Sequence, residues 1–218
     1  MIYYEGPLKG SASKERVFDI LNKEAVIDSA NYIKPFIKDC VIMEERWWGI
    51  TLNHITKKGL HLEFGVHKGE SINYFAQNKP DITWHGFDSF EGLQEDWKGG
   101  MLAKGHFTLN GKKPNVLSNV SLVKGWFKNT LPLFLNKNKN KISFIHIDCD
   151  TYESTKDVFD CINKNLLQKG TMILFDEYMG YTGWRENEFK AWQEYVDKNK
   201  IKYKYIAFGE EQSLIKIL

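Results

Sequence analysis

Carboxylates gather behind the apolar runs of this sequence. Ile142-Ser143-Phe144-Ile145-His146-Ile147 leads into Asp148-Cys149-Asp150, and Thr171-Met172-Ile173-Leu174-Phe175 leads into Asp176-Glu177. The run from Ile82 to Phe87 leads into Asp88-Ser89, and Leu60-His61-Leu62-Glu63-Phe64 carries Glu63 near its end. Three carboxylates with no convergent Cys or His suit a hard divalent cation, Mg²⁺ ahead of Ca²⁺ or Mn²⁺. Asp148, Asp176 and Glu177 are the candidate metal ligands. A divalent cation makes a coordinated oxygen far more acidic; for water on zinc the pKa falls from ~15.7 to ~7. A hydroxyl activated in this way becomes a nucleophile for group transfer. Asp148 ends its run directly and is the candidate catalytic residue. Asp148 or Asp150 is placed to take the proton. Asp150 also stands three residues before Glu153 at a predicted helix start, where D-x-x-E reads as a helix cap.

A second group of residues surrounds two glycines. Gly65-Val66-His67-Lys68-Gly69-Glu70-Ser71 follows the Leu60 run. Gly65 allows a sharp turn off a strand, and Gly69 allows close approach of a ligand to the backbone. The spacing is G-x-x-x-G, not the G-x-G-x-x-G of a pyrophosphate cradle. A ligand with a ribose and no pyrophosphate suits it better. Asp88 lies 23 residues beyond Gly65, where an acid commonly accepts bonds from ribose hydroxyls.

These residues need a scaffold that brings strand ends together. Short apolar runs alternate with helical periodicities over Leu60–Phe64, Glu70–Ala76, Ile82–Phe87, Val120–Val123, Phe127–Leu135, Ile142–Ile147, Tyr152–Leu166, Thr171–Phe175 and Asn187–Lys198. In the last of these, Phe189, Trp192 and Val196 are expected to face inward. The ending, Tyr203–Phe208 and Ser213–Ile217 around Gly209-Glu210-Glu211, reads as an antiparallel β-hairpin. The fold class is therefore α/β: a Rossmann-like three-layer sandwich with a seven-stranded, mostly parallel sheet and a C-terminal antiparallel hairpin. In such sheets ligands bind at the carboxyl ends of the strands. Residues 1–59 read as an N-terminal helical lid or extension, with helices from Lys14 to about Lys38, broken near Pro35, and from Trp47 to Ile55. Residues 60–218 read as the catalytic domain. Gly92 to Pro114 is a long excursion of the kind that forms lids or binding loops.

Composition narrows the function. The 218 residues carry 30 Lys+Arg against 28 Asp+Glu, a net charge of +2, and 42% are hydrophobic. That balance gives no footprint for nucleic acid, and the only arginines are Arg16, Arg46 and Arg185. No apolar run approaches a membrane span, and Met1 to Pro7 shows no signal-peptide pattern. Cys40, Cys149 and Cys161 have no CxxC spacing and read as reduced thiols, so a cytoplasmic location is expected. Acids on both sides of Cys149 disfavour a nucleophilic thiolate. His61, His85 and His146 lie within predicted strands and read as core histidines. Trp47 and Trp48 are candidates for a pocket wall or for helix packing.

The ordered motifs carry a family resemblance. Glu63-x-Gly65-x-x-x-Gly69-x-Ser71 and Gly86-Phe87-Asp88-Ser89-Phe90-Glu91-Gly92-Leu93 resemble the first two motifs of class I S-adenosylmethionine-dependent methyltransferases. Gly125-Trp126-Phe127 with Thr130-Leu131-Pro132, Ile147 through Thr155, and Phe175-Asp176-Glu177-Tyr178 resemble the macrocin O-methyltransferase family. The resemblance implies metal-dependent methyl transfer from S-adenosylmethionine to a hydroxyl of a sugar or other small molecule. It implies that Glu63, Gly65, Gly69 and Ser71 line the methionine half of the cofactor, that Asp88 holds the ribose, and that Gly125 and Trp126 lie near the adenine. Val66 and Ser89 join the cofactor-binding set. Asp148, Asp176 and Glu177 match the family's metal ligands, with Glu177 standing where the family usually has a second aspartate.

Two other readings are open. Asp148-x-Asp150 after an apolar strand also resembles the metal site of a glycosyltransferase that uses a nucleotide sugar, though that leaves Glu63–Ser71 and Asp176-Glu177 unexplained. A non-catalytic module retaining only the cofactor pocket is the other. The expected partner is a small-molecule hydroxyl acceptor, not nucleic acid or membrane. A homodimer is compatible with a chain of this kind, with no interface legible.

Overall fold

The computed structural model describes residues 16–43, 47–100 and 102–218. The predicted helix start at Lys14 and the Met1–Pro7 segment lie outside the described residues. Among these described residues six α-helices and eight strands follow one another: α1 Val17–Ile33, β1 Val41–Ile42, α2 Trp47–His54, β2 Leu60–Phe64, α3 Glu70–Asn78, β3 Trp84–Asp88 and β4 Val120–Lys124. Then come α4 Phe127–Lys137, β5 Ile142–Ile147, α5 Tyr152–Cys161, β6 Leu167–Phe175, α6 Glu188–Asn199, β7 Tyr203–Phe208 and β8 Ser213–Ile217.

All eight strands form one sheet in the order β1-β7-β8-β6-β5-β2-β3-β4. β8 pairs antiparallel with both β6 and β7, and every other pairing is parallel. The sheet has eight strands rather than the expected seven. The extra one, β1, is a two-residue edge strand held by Val41↔Ala207 and Ile42↔Phe208, too short to leave a periodicity in the sequence. β6 begins at Leu167, not Thr171, and α5 stops at Cys161 before a 3₁₀ turn over Lys164–Leu166. α1 ends at Ile33; Lys34 keeps helical angles, and Pro35, which has no N–H to donate, stops the ladder there.

β2 and β5 are buried along their whole length because helices cover both sheet faces. Their alternating side chains feed two cores. Leu62, Phe64, Ile145 and Ile147 pack on one face, and Phe144, Trp84, Phe75 and Met172 on the other. β2 and β5 are also neighbours from which the chain winds in opposite directions, toward β3 and toward β6. That switch point opens the crevice in which ligands of α/β sheets bind. Among the described residues no helix is long and apolar enough to cross a membrane.

One core histidine has a measurable consequence. His61 is 4% exposed and packs 5.1 Å from the Trp84 ring, with the Gly59 backbone its polar neighbour. Burial lowers its pKa to about 4, with His85 adding to the effect. The folded chain keeps this ring neutral while the unfolded chain protonates it below about 6.5. Stability is therefore expected to fall as pH drops from about 6.5 to about 4, by about 3 kcal/mol from this residue. Urea titrations of His61→Leu across that range should show a shallower acid slope; an unchanged slope contradicts the assignment.

Candidate active site

The site begins where β2 turns into α3. Gly65 has φ 90°, and a Cβ there would stand 1.6 Å from the Asp148 carbonyl oxygen. Only glycine lets β2 leave the sheet against β5 at this point. Asp148 N donates to Phe64 O at 2.9 Å and locks the two strand ends together.

The turn is held from β3. Asp88 Oδ2 accepts from Val66 N at 2.9 Å and His67 N at 2.8 Å, and Oδ1 accepts from Phe90 N at 2.6 Å. Asp88 thus clamps the glycine turn as well as facing the cleft. A carboxylate has about four acceptor positions, so three backbone bonds leave room for a ligand hydroxyl.

An open cleft of about 340 Å³ lies over these strand ends. Gly65, Val66, Ser71, Asp88, Ser89 and Trp126 line it, together with Asp148, Asp150 and Glu177. The excursion after β3 contributes Gly92, Leu93, Gln94 and Phe107 to the wall, and α2 contributes Trp48. Gly69 and Gly125 shape turns behind the cleft and are not part of its lining. The segment from Tyr178 to Arg185 is also absent from the lining. It packs on α1, with Gly180 N donating to Ser29 Oγ at 2.9 Å.

Glu63 does not reach the cleft surface. It is 1% exposed, accepts from Ser71 Oγ at 3.0 Å and meets His146 Nδ1 at 3.0 Å. Burial pushes its pKa up, and the bonds from His146 and Ser71 oppose that shift. His146 is the hydrogen-bonded core histidine its strand position suggests.

Asp148, Asp176 and Glu177 converge at one side of the cleft; Asp148 and Glu177 line it, and Asp176 stands beside them outside the lining. One carboxylate oxygen from each lies within 4.8 Å of the others. β5 supplies the first and β6 the other two, in register because Asp176 N donates to Ile147 O at 2.9 Å. Asp176 Oδ1 and Glu177 Oε2 are buried without a hydrogen-bond partner. Burial, then the neighbouring acids, pushes the pKa values of Asp148 and Glu177 well up. Burial also raises Asp176, against the opposing effect of His146. Three carboxylates this close together, with two oxygens among them lacking a hydrogen-bond partner, are a donor set for a hard cation.

Asp150 is not the helix cap its spacing suggested. Thr151 is the N-cap of α5, and Glu153 N bonds to Glu95 Oε1 at 2.9 Å. Asp150 sits one residue earlier at φ 63°, 8% exposed, on the cleft wall. Burial and the charges of Asp176 and Asp88 push its pKa up to about 7. Cys149 is buried, and burial followed by Glu188 raises its thiol well above the ordinary range, which suits an inert thiol.

Glu188 escaped the sequence reading. It opens α6, is 0% exposed, and bonds to the backbone beside two of the acids. The buried residues of α6 are Glu188, Ala191, Trp192 and Tyr195; Trp192 faces inward as expected, and Phe189 and Val196 are half-buried against the same core. An acid at the i position of an i, i+3, i+4, i+7 apolar stripe was the signal available.

The fold and this crevice define an α/β protein with a ligand-sized cleft over the carboxyl ends of a mostly parallel sheet. Residues 62–178 match the family described as methyltransferase domain. The chain belongs to that family. Its fold is similar to a crystal structure of CalS11, the calicheamicin methyltransferase, with TM-score 0.65 and 18% identity over 94% of each chain. It is similar also to the apo structure of CalS11, described as a TDP-rhamnose 3'-O-methyltransferase of calicheamicin biosynthesis, with TM-score 0.57 and 22% identity over 78% of this chain and 77% of that one. No curated protein matches the chain.

Proposed function

We propose that this protein is an S-adenosylmethionine-dependent, Mg²⁺-dependent O-methyltransferase acting on a hydroxyl of a sugar or other small molecule, of the macrocin O-methyltransferase kind. The observation that carries the metal and hydroxyl parts is the convergence of Asp148, Asp176 and Glu177, two of which, Asp148 and Glu177, line the same cleft as the glycine turn. Their two unpartnered oxygens fit a divalent cation. The sugar as acceptor is suggested by what CalS11 is described as acting on.

S-adenosylmethionine supplies a methyl group on a sulfonium, and the cation supplies positive charge that acidifies a hydroxyl. The chain's own residues do the rest. Gly65 to Ser71, braced by Asp88, would give the donor a shaped backbone turn to lie against. Trp126, Leu93 and Phe107 give that cradle apolar walls that displace water. Asp148, Asp176 and Glu177 would hold the cation, Asp148 and Glu177 from the cleft wall. Asp148 or Asp150, both on that wall, would take the proton of the acceptor hydroxyl. Holding the two reactants in line accounts for roughly 7–11 kcal/mol of barrier lowering in well-oriented systems.

The test is methyl transfer to a panel of sugars, nucleotide sugars and phenols, with EDTA and with Mg²⁺ restored. The expected result is transfer to a sugar hydroxyl that EDTA abolishes and Mg²⁺ rescues. Cofactor binding with no transfer to any acceptor would favour a binding module. Transfer indifferent to EDTA would remove the cation from the account.

A further inference from the structure

We infer that Glu188 is the positioning residue of the acidic cluster, tying the ends of β5 and β6 so that Asp148 and Glu177 face a common point. The inference rests on the cation-binding reading above. Glu188 Oε1 accepts from Cys149 N at 3.4 Å, and Oε2 accepts from Glu177 N at 3.3 Å. Cys149 directly follows Asp148. One side chain therefore bridges the two backbone segments that carry the candidate ligands.

Packing alone does not ask for an acid there. The other buried residues of α6 are Ala191, Trp192 and Tyr195. A buried carboxylate close to other carboxylates is costly, and an apolar residue of similar size would fill the space without that cost. What the site needs is two acceptors on a side chain of this length. Glutamine offers one acceptor oxygen and turns an N–H₂ toward a backbone N–H. Aspartate offers two acceptors but is one methylene shorter.

The position of Glu188 is itself fixed. Asn187, fully buried, donates from Nδ2 to Lys98 O at 2.8 Å and to Gly183 O at 3.2 Å. Lys98 belongs to the excursion that walls the cleft. Both Glu188 oxygens already face N–H groups, so its part is to aim the ligands rather than to join them.

The experiment is Mn²⁺ binding to the folded protein, read as loss of the free-ion electron paramagnetic resonance signal. It is run on wild type, Glu188→Gln and Glu188→Asp, with calorimetric S-adenosylhomocysteine affinity and Tm measured on each. Wild type should bind Mn²⁺. Glu188→Gln should bind it about 10–100-fold more weakly, the size of effect seen when residues that orient metal ligands are lost. Its S-adenosylhomocysteine affinity should stay within about twofold, because the glycine turn and Asp88 make no bond to Glu188. Glu188→Asp should fall between. Wild-type Mn²⁺ affinity in Glu188→Gln, with or without a lower Tm, would show a packing role only and overturn the inference. Failure of both variants to fold would do the same, assigning Glu188 to the fold. No Mn²⁺ binding by wild type would instead overturn the cation reading on which the inference stands.

Discussion

In Asp148→Asn, Mg²⁺-dependent turnover is expected to fall by at least about 10³-fold, ~4 kcal/mol of barrier. The amide keeps the size of the side chain but removes one negative charge and one of the ligand oxygens that converge within 4.8 Å. The cofactor cradle should survive. Asp148 supports it through its backbone, by the N–H that bonds Phe64 O and the carbonyl against which Gly65 turns. S-adenosylhomocysteine affinity should therefore remain within about twofold of wild type. Initial rates over a Mg²⁺ titration, set beside calorimetry of the product cofactor, check both halves. Equal losses of turnover and of cofactor binding would show that Asp148 serves the cradle and not the cation.

Asp88→Ala should give the opposite pattern. Cofactor affinity is expected to drop about 100-fold, ~2.7 kcal/mol, with the Mg²⁺ requirement of the residual activity unchanged. The three N–H groups of Val66, His67 and Phe90 lose a shared carboxylate, and hydrogen bonds to a charged acceptor are worth about 1.5–3 kcal/mol each. His67 is held at φ 45° with its N–H on this carboxylate, so the cradle should reshape when the clamp goes. Asp88→Asn keeps one acceptor oxygen and should fall between wild type and alanine. Unchanged affinity in both variants would contradict the placement of the cofactor over this turn.

Most of the scaffold was legible because its signals are local. β2 and β5 show as short runs rich in Leu, Ile and Phe; helices cover both faces, so even His61, Glu63, Ser143 and His146 within them are buried. The hairpin of β7 and β8 shows in the glycine and acids between two β-rich runs. β1 could not be seen: two residues have no period, and only the edge of β7 makes Val41–Ile42 a strand. The long excursion was readable as an excursion, but which of its residues reach the cleft depends on how it folds back. Leu93 N bonds to His106 O and Leu109 N to Phe90 O, pairings that no spacing rule supplies.

The site was legible where a side chain's role follows from standing at a strand end. Asp148, Asp176 and Glu177 are next to their strands and meet because the strands are neighbours. Roles that depend on what lies across the cleft were harder. Glu63, at a strand end too, turns inward to Ser71 and His146. Asp150 matches a capping pattern, yet the backbone at φ 63° passes the cap to Thr151. Glu188 comes from a helix that begins 11 residues after Glu177, and only the tertiary fold returns it to the backbone of Cys149 and Glu177.

The central claim is that one cleft holds a sulfonium cofactor beside a cation site, and calorimetric titration of S-adenosylmethionine and S-adenosylhomocysteine, each with Mg²⁺ and with EDTA, tests it most directly. The account predicts micromolar binding of both compounds in either condition, with a separate Mg²⁺ signal that is absent in Asp148→Asn. Absence of binding by either compound in both conditions, with a nucleotide sugar binding in their place, would contradict it.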